Sequence, residues 1–182
     1  NDLVKAGKVR YIGASAMYAW QFQKALYTAE KHGWTKFISM QNHYNLIYRE
    51  DERELIPLCK DQKIGLTPYS PLAAGRLARD WSETTYRLQT DQVAKSKYDS
   101  TKDTDKAIVD RVAELANKHG VSRAQISLAW LLHKEPVNAP IVGATKITHL
   151  EDAVGAISVK LTPEEMAYLE EPYVPHSIVG PI

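Results

Sequence analysis

Four short apolar segments alternate with amphipathic segments along this chain, and that alternation constrains the possible folds more than any other feature. The four segments are rich in β-branched and aromatic residues, which is typical of strands. They cover residues 9–14, 37–41, 65–69 and 139–143. Short buried strands that alternate with helices favour βαβ units and a parallel sheet, and therefore an α/β fold. Pro68 is the one awkward residue, because a proline cannot donate a hydrogen bond inside a central strand.

The helical segments have recognisable beginnings and ends. They are predicted at residues 18–32, 53–62, 105–119, 123–134, 148–157 and from 163 onward. Three of them begin with a capping-box pattern, at Ser122, Thr148 and Thr162. Residues 3–6 have the pattern of a last helical turn closed by Gly7, so we expect the sequence to continue upstream.

Composition excludes several classes of protein. The 182 residues are 44% hydrophobic and 25% charged, and the formal net charge is +1. These values are typical of one globular domain and give no reason to expect a nucleic-acid partner. No apolar run approaches the roughly 20 residues of a membrane span, and there is no signal peptide. The single cysteine, Cys59, allows no internal disulfide and lies in an apolar helical run, so we expect a cytoplasmic protein with Cys59 in its core.

Polar side chains follow each of the four predicted strands. In parallel α/β folds the functional residues gather at the carboxyl ends of the strands. The residues at these ends are Ser15, Gln41, Asn42, Tyr69, Ser70, Leu72, Gly143, Ala144, Thr145 and Lys146. Hydroxyl, amide and aromatic groups with one lysine can orient a planar ring that bears an amide and can hold phosphates. The alternative, which the sequence leaves open, is that polar residues gather there because loops begin at strand ends.

Other signatures of function are missing from the sequence. No Gly-x-Gly-x-x-Gly follows a strand, and no histidines or cysteines have the spacing of metal ligands. His43 lies two residues beyond Gln41 without a neighbouring ligand type, so we expect a structural role for it. No Ser-His-Asp order can be assigned, so no catalytic residue is predicted.

Four motifs occur in order along essentially the whole chain. They are KVRYIGAS at 8–15, QNHYN at 41–45, YSPL at 69–72 and IVGATK at 141–146. Together they resemble the aldo-keto reductase family, which folds as a TIM (β/α)8 barrel. Residues 171–176 resemble the tail of bacterial members of the branch that includes the potassium-channel β subunits. The resemblance implies that the four strands are the fifth to eighth of the barrel. Residues 1–182 would then be the C-terminal half of one barrel domain whose N-terminal half is absent from the chain.

The resemblance also implies a binding site for NADP(H). Ser15 and Gln41 match positions that hydrogen-bond the nicotinamide carboxamide, and Tyr69 matches the aromatic residue that stacks on the nicotinamide ring. The pyrophosphate loop is matched by Ser70, Leu72 and Gly75. The segment around the adenosine ribose and its phosphate is matched by Gly143, Thr145 and Lys146, and the adenine and phosphate contacts on the next helix by His149 and Asp152.

The chain departs from the family pattern at several positions. Many members have asparagine where Ala16 stands, arginine where His149 stands and asparagine where Ala153 stands. These changes bear on cofactor geometry and on the choice between NADP and NAD. The family's catalytic aspartate, tyrosine, lysine and histidine come from strands upstream of Asn1, so the resemblance assigns no catalytic residue here.

Three functions fit these observations. The first is an NADP(H)-dependent reductase of a small carbonyl substrate, which associates with its N-terminal half or with itself. The second is a non-catalytic NADP-binding partner subunit of the same fold, and the third is an α/β domain with another role. The irregular stretch from residue 73 to 104 is expected to shape the substrate pocket. Trp81 and Tyr86 are either walls of that pocket or packing residues of the loop.

Overall fold

A three-stranded parallel sheet lies at the centre of the computed structural model, which describes residues 1–83, 85 and 89–179. Its strands are β1 (Gly13–Ser15), β2 (Ser39–Gln41) and β3 (Gly65–Leu66), in that order. β1 pairs with β2 and β2 with β3, both in parallel register. The carboxyl ends of all three strands therefore meet at one edge of the sheet.

Helices connect these strands and continue beyond them. They are α1 (Asp2–Lys5), α2 (Ala19–Lys31), α3 (Leu55–Asp61), α4 (Gln92–Tyr98), α5 (Lys102–His119), α6 (Arg123–Leu132), α7 (Ile147–Gly155) and α8 (Pro163–Glu170). α2 joins β1 to β2 and α3 joins β2 to β3, which confirms the predicted alternation. α4 and a 3-10 turn at Ala73–Gly75 lie inside the stretch that was predicted to be irregular.

Helix boundaries test the capping predictions. Two capping boxes are confirmed, at Ser122 before α6 and at Thr162 before α8. The third prediction is wrong, because α7 already begins at Ile147 with Lys146 as its N-cap and no side-chain capping bond. Ile147 extends the helix toward Lys146, so Thr148 falls within the first turn rather than before it.

The fourth predicted strand, residues 139–143, is wrong as a strand. The chain does run beside β3, with an isolated parallel bridge between Leu66 and Val137. Asn138 N–H donates to the Leu66 carbonyl at 2.9 Å, and Ile141 N–H donates to the Pro68 carbonyl at 2.8 Å. The segment is thus held at the edge of the sheet without forming a regular ladder with it.

Two prolines explain why the ladder stops. After the bridge at Leu66, the next two bonds of a parallel ladder would need N–H donors at Pro68 and Pro140, and proline has none. The ladder is therefore interrupted from both sides of the pair, since one proline lies on the β3 side and the other on the incoming segment.

One apolar core joins the helices to the sheet. Met40 on β2, Leu66 on β3 and Trp130 on α6 are all fully buried in it. Cys59 is also fully buried, as expected, and burial raises the pKa of its thiol to about 12. A buried thiol held in its protonated form is an inert packing group.

The β1 edge of the sheet is open within the described part of the chain, because β1 pairs only with β2 there. The β3 edge is flanked by the segment at 136–141, which bonds to Leu66 and Pro68. Several large apolar side chains are exposed; they include Tyr11, Trp20, Ile141, Val142 and Ile147. An open edge and exposed apolar groups favour association with further strands.

Residues 173–179, which follow α8, fold back against the segment that follows β2. Glu50 accepts hydrogen bonds from the Tyr173 hydroxyl at 2.8 Å and from His176 N–H at 2.7 Å. Tyr48 exchanges hydrogen bonds with the backbone of Val179 at 3.0 and 3.2 Å. These bonds fix the tail against the segment that follows β2.

Two features are absent from the described ranges, a membrane-spanning helix and a metal-binding group of side chains. No helix there has both the length and the hydropathy that a membrane crossing requires. No group of three or more histidine, cysteine, aspartate or glutamate side chains lies in a metal-binding arrangement there.

Candidate functional site

Three of the predicted site residues lie at the ends of consecutive strands. Ser15 is directly opposite Gln41 in the register, and its Oγ donates to the Gln41 carbonyl at 3.1 Å. Tyr69 is tied to the same edge because its N–H donates to the Asn42 carbonyl at 2.9 Å. Ser15 is exposed, while Gln41 and Tyr69 are half-buried. A hydroxyl, an amide and an aromatic ring therefore lie side by side on one edge.

Backbone strain is concentrated at this edge. Among the described non-glycine residues, positive φ angles occur at Ala16 (38°), Ser70 (53°), Ala73 (48°), Ala74 (55°) and Lys63 (55°). All but the last directly follow a strand end or lie in the loop after Tyr69. Such conformations cost about 1–3 kcal/mol each and cluster at functional sites. The strain therefore favours a functional role for this loop.

Gly75 allows an arginine to lie against this strained loop. Its φ is +95°, and a Cβ added there would be 3.1 Å from Nη2 of Arg79. The absence of a side chain thus brings a guanidinium onto the loop that includes Ser70 and Leu72. Arg79 was not among the predicted site residues, because no motif in the sequence marks it.

The second group of predicted residues lies on an exposed segment beside the first. Ile141 is bonded to Pro68, so the chain that follows it passes next to Tyr69. Gly143, Thr145, Lys146 and His149 are all exposed there. Lys146 is the N-cap of α7, so a lysine stands at the positive end of a helix dipole. This arrangement favours an anion.

Asp152 differs from the other residues of that group. Both of its carboxylate oxygens accept from Oγ of Ser122, at 2.8 and 2.7 Å. Since Ser122 is the N-cap of α6, this contact joins α7 to α6. In this arrangement Asp152 is a structural acceptor. Among the described residues, no other predicted site residue forms a hydrogen bond with it.

The surroundings of Tyr69 contain groups that the sequence did not indicate. Nζ of Lys97 on α4 lies 3.2 Å from the Tyr69 hydroxyl and 4.7 Å from the ring centroid. The sequence has no lysine or arginine next to Tyr69, so this cation reaches the ring only through the fold. His43 stacks on the same ring, with 5.0 Å between ring centroids and 13° between ring planes.

A small cavity of about 10 Å³, room for about one water molecule, lies beside these rings. Its lining includes His43, Tyr48, Asp51, Tyr69 and the tail residue Val179. Burial raises the pKa of the Asp51 carboxyl to about 6, although Asn42 donates to it at 3.0 Å. The cavity therefore combines aromatic walls with a carboxyl group that takes up a proton near neutral pH.

The two candidate pocket walls in the loop have different outcomes. Trp81 is half-buried, and its indole N–H donates to the Arg76 carbonyl at 2.8 Å. That bond ties the ring to its own loop. The ring also lines a cavity of about 370 Å³ with Lys102 and Arg123, which shares no lining residue with the cavity beside Tyr69. Tyr86 lies outside the described residues.

Comparison with known proteins gives a consistent result. The sequence profile of the aldo/keto reductase family matches residues 1–173. Versiconal hemiacetal acetate reductase of Aspergillus parasiticus is 52% identical over 180 residues, which are 98% of this chain and 52% of that protein. A putative aryl-alcohol dehydrogenase of Schizosaccharomyces pombe is 52% identical over 184 residues, which are 100% of this chain and 51% of that protein.

A solved structure is also similar. The crystal structure of a thermostable aldo-keto reductase in complex with the inhibitor epalrestat superposes with a TM-score of 0.66 at 28% identity. The match covers 94% of this chain and 51% of that one. The chain therefore spans about half the length of the relatives it matches.

Proposed function

The chain belongs to the aldo/keto reductase family, and we propose that it is the C-terminal half of the barrel of an NADP(H)-dependent carbonyl reductase. One observation carries this proposal: Ser15, Gln41 and Tyr69 lie on consecutive strand ends at one edge of the sheet. The family resemblance assigns to these three residues the contacts with the nicotinamide.

The chemistry of these three side chains fits a nicotinamide group. The Gln41 amide can donate to and accept from the carboxamide, and the Ser15 hydroxyl can act as a second partner. The Tyr69 ring offers a flat surface for an offset stack. Together they would orient the ring so that one face is covered and the other is turned toward the substrate.

The phosphate groups fit two further features. In the loop after Tyr69, Gly75 lets the Arg79 guanidinium lie close to the backbone. A guanidinium at this position suits a pyrophosphate. At the start of α7, Lys146 and the helix dipole suit the phosphate on the adenosine ribose. His149 follows in the first turn of that helix and is also exposed.

When bound, NADPH supplies the hydride that reduces an aldehyde or ketone carbon to an alcohol. The residues of this chain would hold and orient it, while the proton for the carbonyl oxygen comes from a donor on strands outside the chain. The name of one relative, a putative aryl-alcohol dehydrogenase, favours an aromatic carbonyl substrate.

The test begins with cofactor binding, measured by isothermal titration calorimetry with NADPH. Gln41→Ala is expected to weaken binding about tenfold, because it removes hydrogen bonds to the carboxamide, each typically worth about 0.5–1.5 kcal/mol. Gln23→Ala, which removes an exposed glutamine from α2, is the matched control and should bind like wild type. Equal effects of the two substitutions would contradict the assigned site.

Turnover separates a reductase from a non-catalytic partner subunit. The full-length protein that carries this chain is expected to oxidise NADPH in the presence of an aromatic aldehyde, whereas a partner subunit would bind NADPH without turnover. Residues 1–182 alone are expected to be catalytically silent. Steady turnover by these residues alone, lost in Tyr69 or Gln41 variants, would show that this half supplies its own proton donor.

A further inference from the structure

His43 occupies a position behind the proposed nicotinamide platform. It is 3% exposed and forms a parallel bridge with Tyr69 through the backbone. Its imidazole stacks on the Tyr69 ring, and also on the Tyr48 ring with 4.1 Å between centroids and 16° between planes. The ring of Tyr69 is thus supported by a second aromatic layer that is itself packed against a third.

One hydrogen bond determines the orientation of this imidazole. Nε2 of His43 lies 2.6 Å from the hydroxyl of Tyr98, which is almost fully buried. The same hydroxyl accepts from Nδ2 of Asn45 at 3.2 Å, so its own proton is free to be donated to Nε2. Asn45 also donates to the Ser70 carbonyl at 2.9 Å, which links the chain of bonds to the loop after Tyr69.

The charge state of His43 suits this pattern. Burial and, to a smaller extent, the nearby Lys97 ammonium together lower the pKa of His43 to about 3. The imidazole is therefore neutral at physiological pH and can accept the proton of Tyr98. A positively charged ring would instead present an N–H donor to the Tyr98 hydroxyl and would add a second positive charge near the Lys97 ammonium.

Helix α4 contacts the platform through two consecutive residues. Lys97 meets the hydroxyl of Tyr69, and Tyr98 meets the ring nitrogen of His43. The Tyr69 ring is therefore contacted by an imidazole that stacks on it and by an ammonium that lies over it and meets its hydroxyl, and both contacts lead to the end of α4.

We propose that His43 is a positioning residue, which fixes the plane of Tyr69 on which the nicotinamide ring lies and couples that plane to helix α4 through Tyr98. This inference rests on the proposed function, because it assigns a role to His43 within the same cofactor site. His43 does not touch the cofactor; it acts through Tyr69.

The experiment compares two ligands that differ only in the nicotinamide part. NADPH carries the nicotinamide ring, and 2′-phospho-ADP-ribose keeps the ribose but lacks that ring. Calorimetric titrations of wild type are expected to give at least fivefold tighter binding of NADPH. His43→Ala should reduce that ratio below twofold while the affinity for 2′-phospho-ADP-ribose stays within twofold of wild type.

Two further variants keep the test decisive. Tyr98→Phe removes one hydroxyl and leaves both rings in place, so it reports on the coupling even if His43→Ala does not fold; we expect the ratio to fall at least threefold. His32→Ala removes an exposed histidine that stacks on Trp34 at the C-terminal end of α2 and should change neither affinity.

The outcomes separate the inference from the function on which it rests. Equal loss of affinity for both ligands in His43→Ala, or an unchanged ratio in both His43→Ala and Tyr98→Phe, would overturn the positioning role and leave the proposed function intact. A wild-type protein that binds neither ligand would overturn both.

Discussion

Lys146 provides the sharpest test of the choice between NADP and NAD. It is the N-cap of α7, and the whole segment from 141 to 151 is exposed. A hydrogen bond to a charged group contributes about 1.5–3 kcal/mol, and solvent exposure moves the expected value toward the lower end. We therefore expect Lys146→Ala to cost about 1.5 kcal/mol of NADPH binding, which is roughly a tenfold weaker dissociation constant.

The comparison with NADH isolates the phosphate contact. NADH lacks the phosphate on the adenosine ribose, so Lys146→Ala should change its affinity by less than about twofold. The measurement is a fluorescence titration with each dinucleotide at low and at high salt, because an exposed charge contact is screened by salt. Lys160→Ala removes another exposed lysine and is the matched control. Equal losses for NADPH and NADH would refute the assignment of Lys146 to the phosphate.

Three further predictions concern stability and catalysis. Trp130→Phe removes the indole N–H that donates to Glu170 at 2.9 Å and should lower the free energy of unfolding by about 2 kcal/mol in urea titrations followed by circular dichroism; a loss below about 0.5 kcal/mol would contradict the value of that bond. The hydrogen bond from Lys118 is the largest of the effects that lower the pKa of Glu165 to about 2, so the stability that this pair contributes is present above pH 4.5 and is lost as the pH falls toward 2. In Glu165→Gln, the free energy of unfolding should therefore fall by about 1 kcal/mol less over this acid range, a value discounted for the exposed lysine. An unchanged loss of stability at acid pH would contradict this prediction. Tyr69→Phe keeps the stacking ring and should leave turnover of the full-length protein largely intact, whereas a hundredfold fall would identify its hydroxyl as an acid.

Helix ends were predictable where the capping signal lies within a few residues. The boxes at Ser122 and Thr162 were confirmed because the side chain and the backbone N–H that it caps are three residues apart. Gly120 ends α5 in a left-handed conformation, with a φ of 65°. The box at Thr148 failed because a capping pattern does not prevent a helix from beginning one residue earlier.

Strands were located by the sequence but their lengths were not. Each of the first three predicted segments, of five or six residues, contains only two or three residues of regular strand. The fourth contains none. Hydrogen bonding to a neighbour defines a strand, and the neighbour is not encoded in the segment itself. For the fourth segment the outcome depended on Pro68 and Pro140 meeting across the pair.

What the sequence by itself determined is the order of elements and the set of groups at the strand ends. Alternation of apolar segments and helices places Ser15, Gln41 and Tyr69 at the carboxyl ends of neighbouring strands, because parallel strands repeat the same direction. Only the tertiary structure decided what surrounds them. His43 meets Tyr98 across 55 positions of sequence, and Tyr69 meets Lys97 across 28. Local hydrogen bonds depend on a few adjacent residues, but contacts of this kind depend on the path of the whole intervening chain, so no pattern within a short segment reveals them.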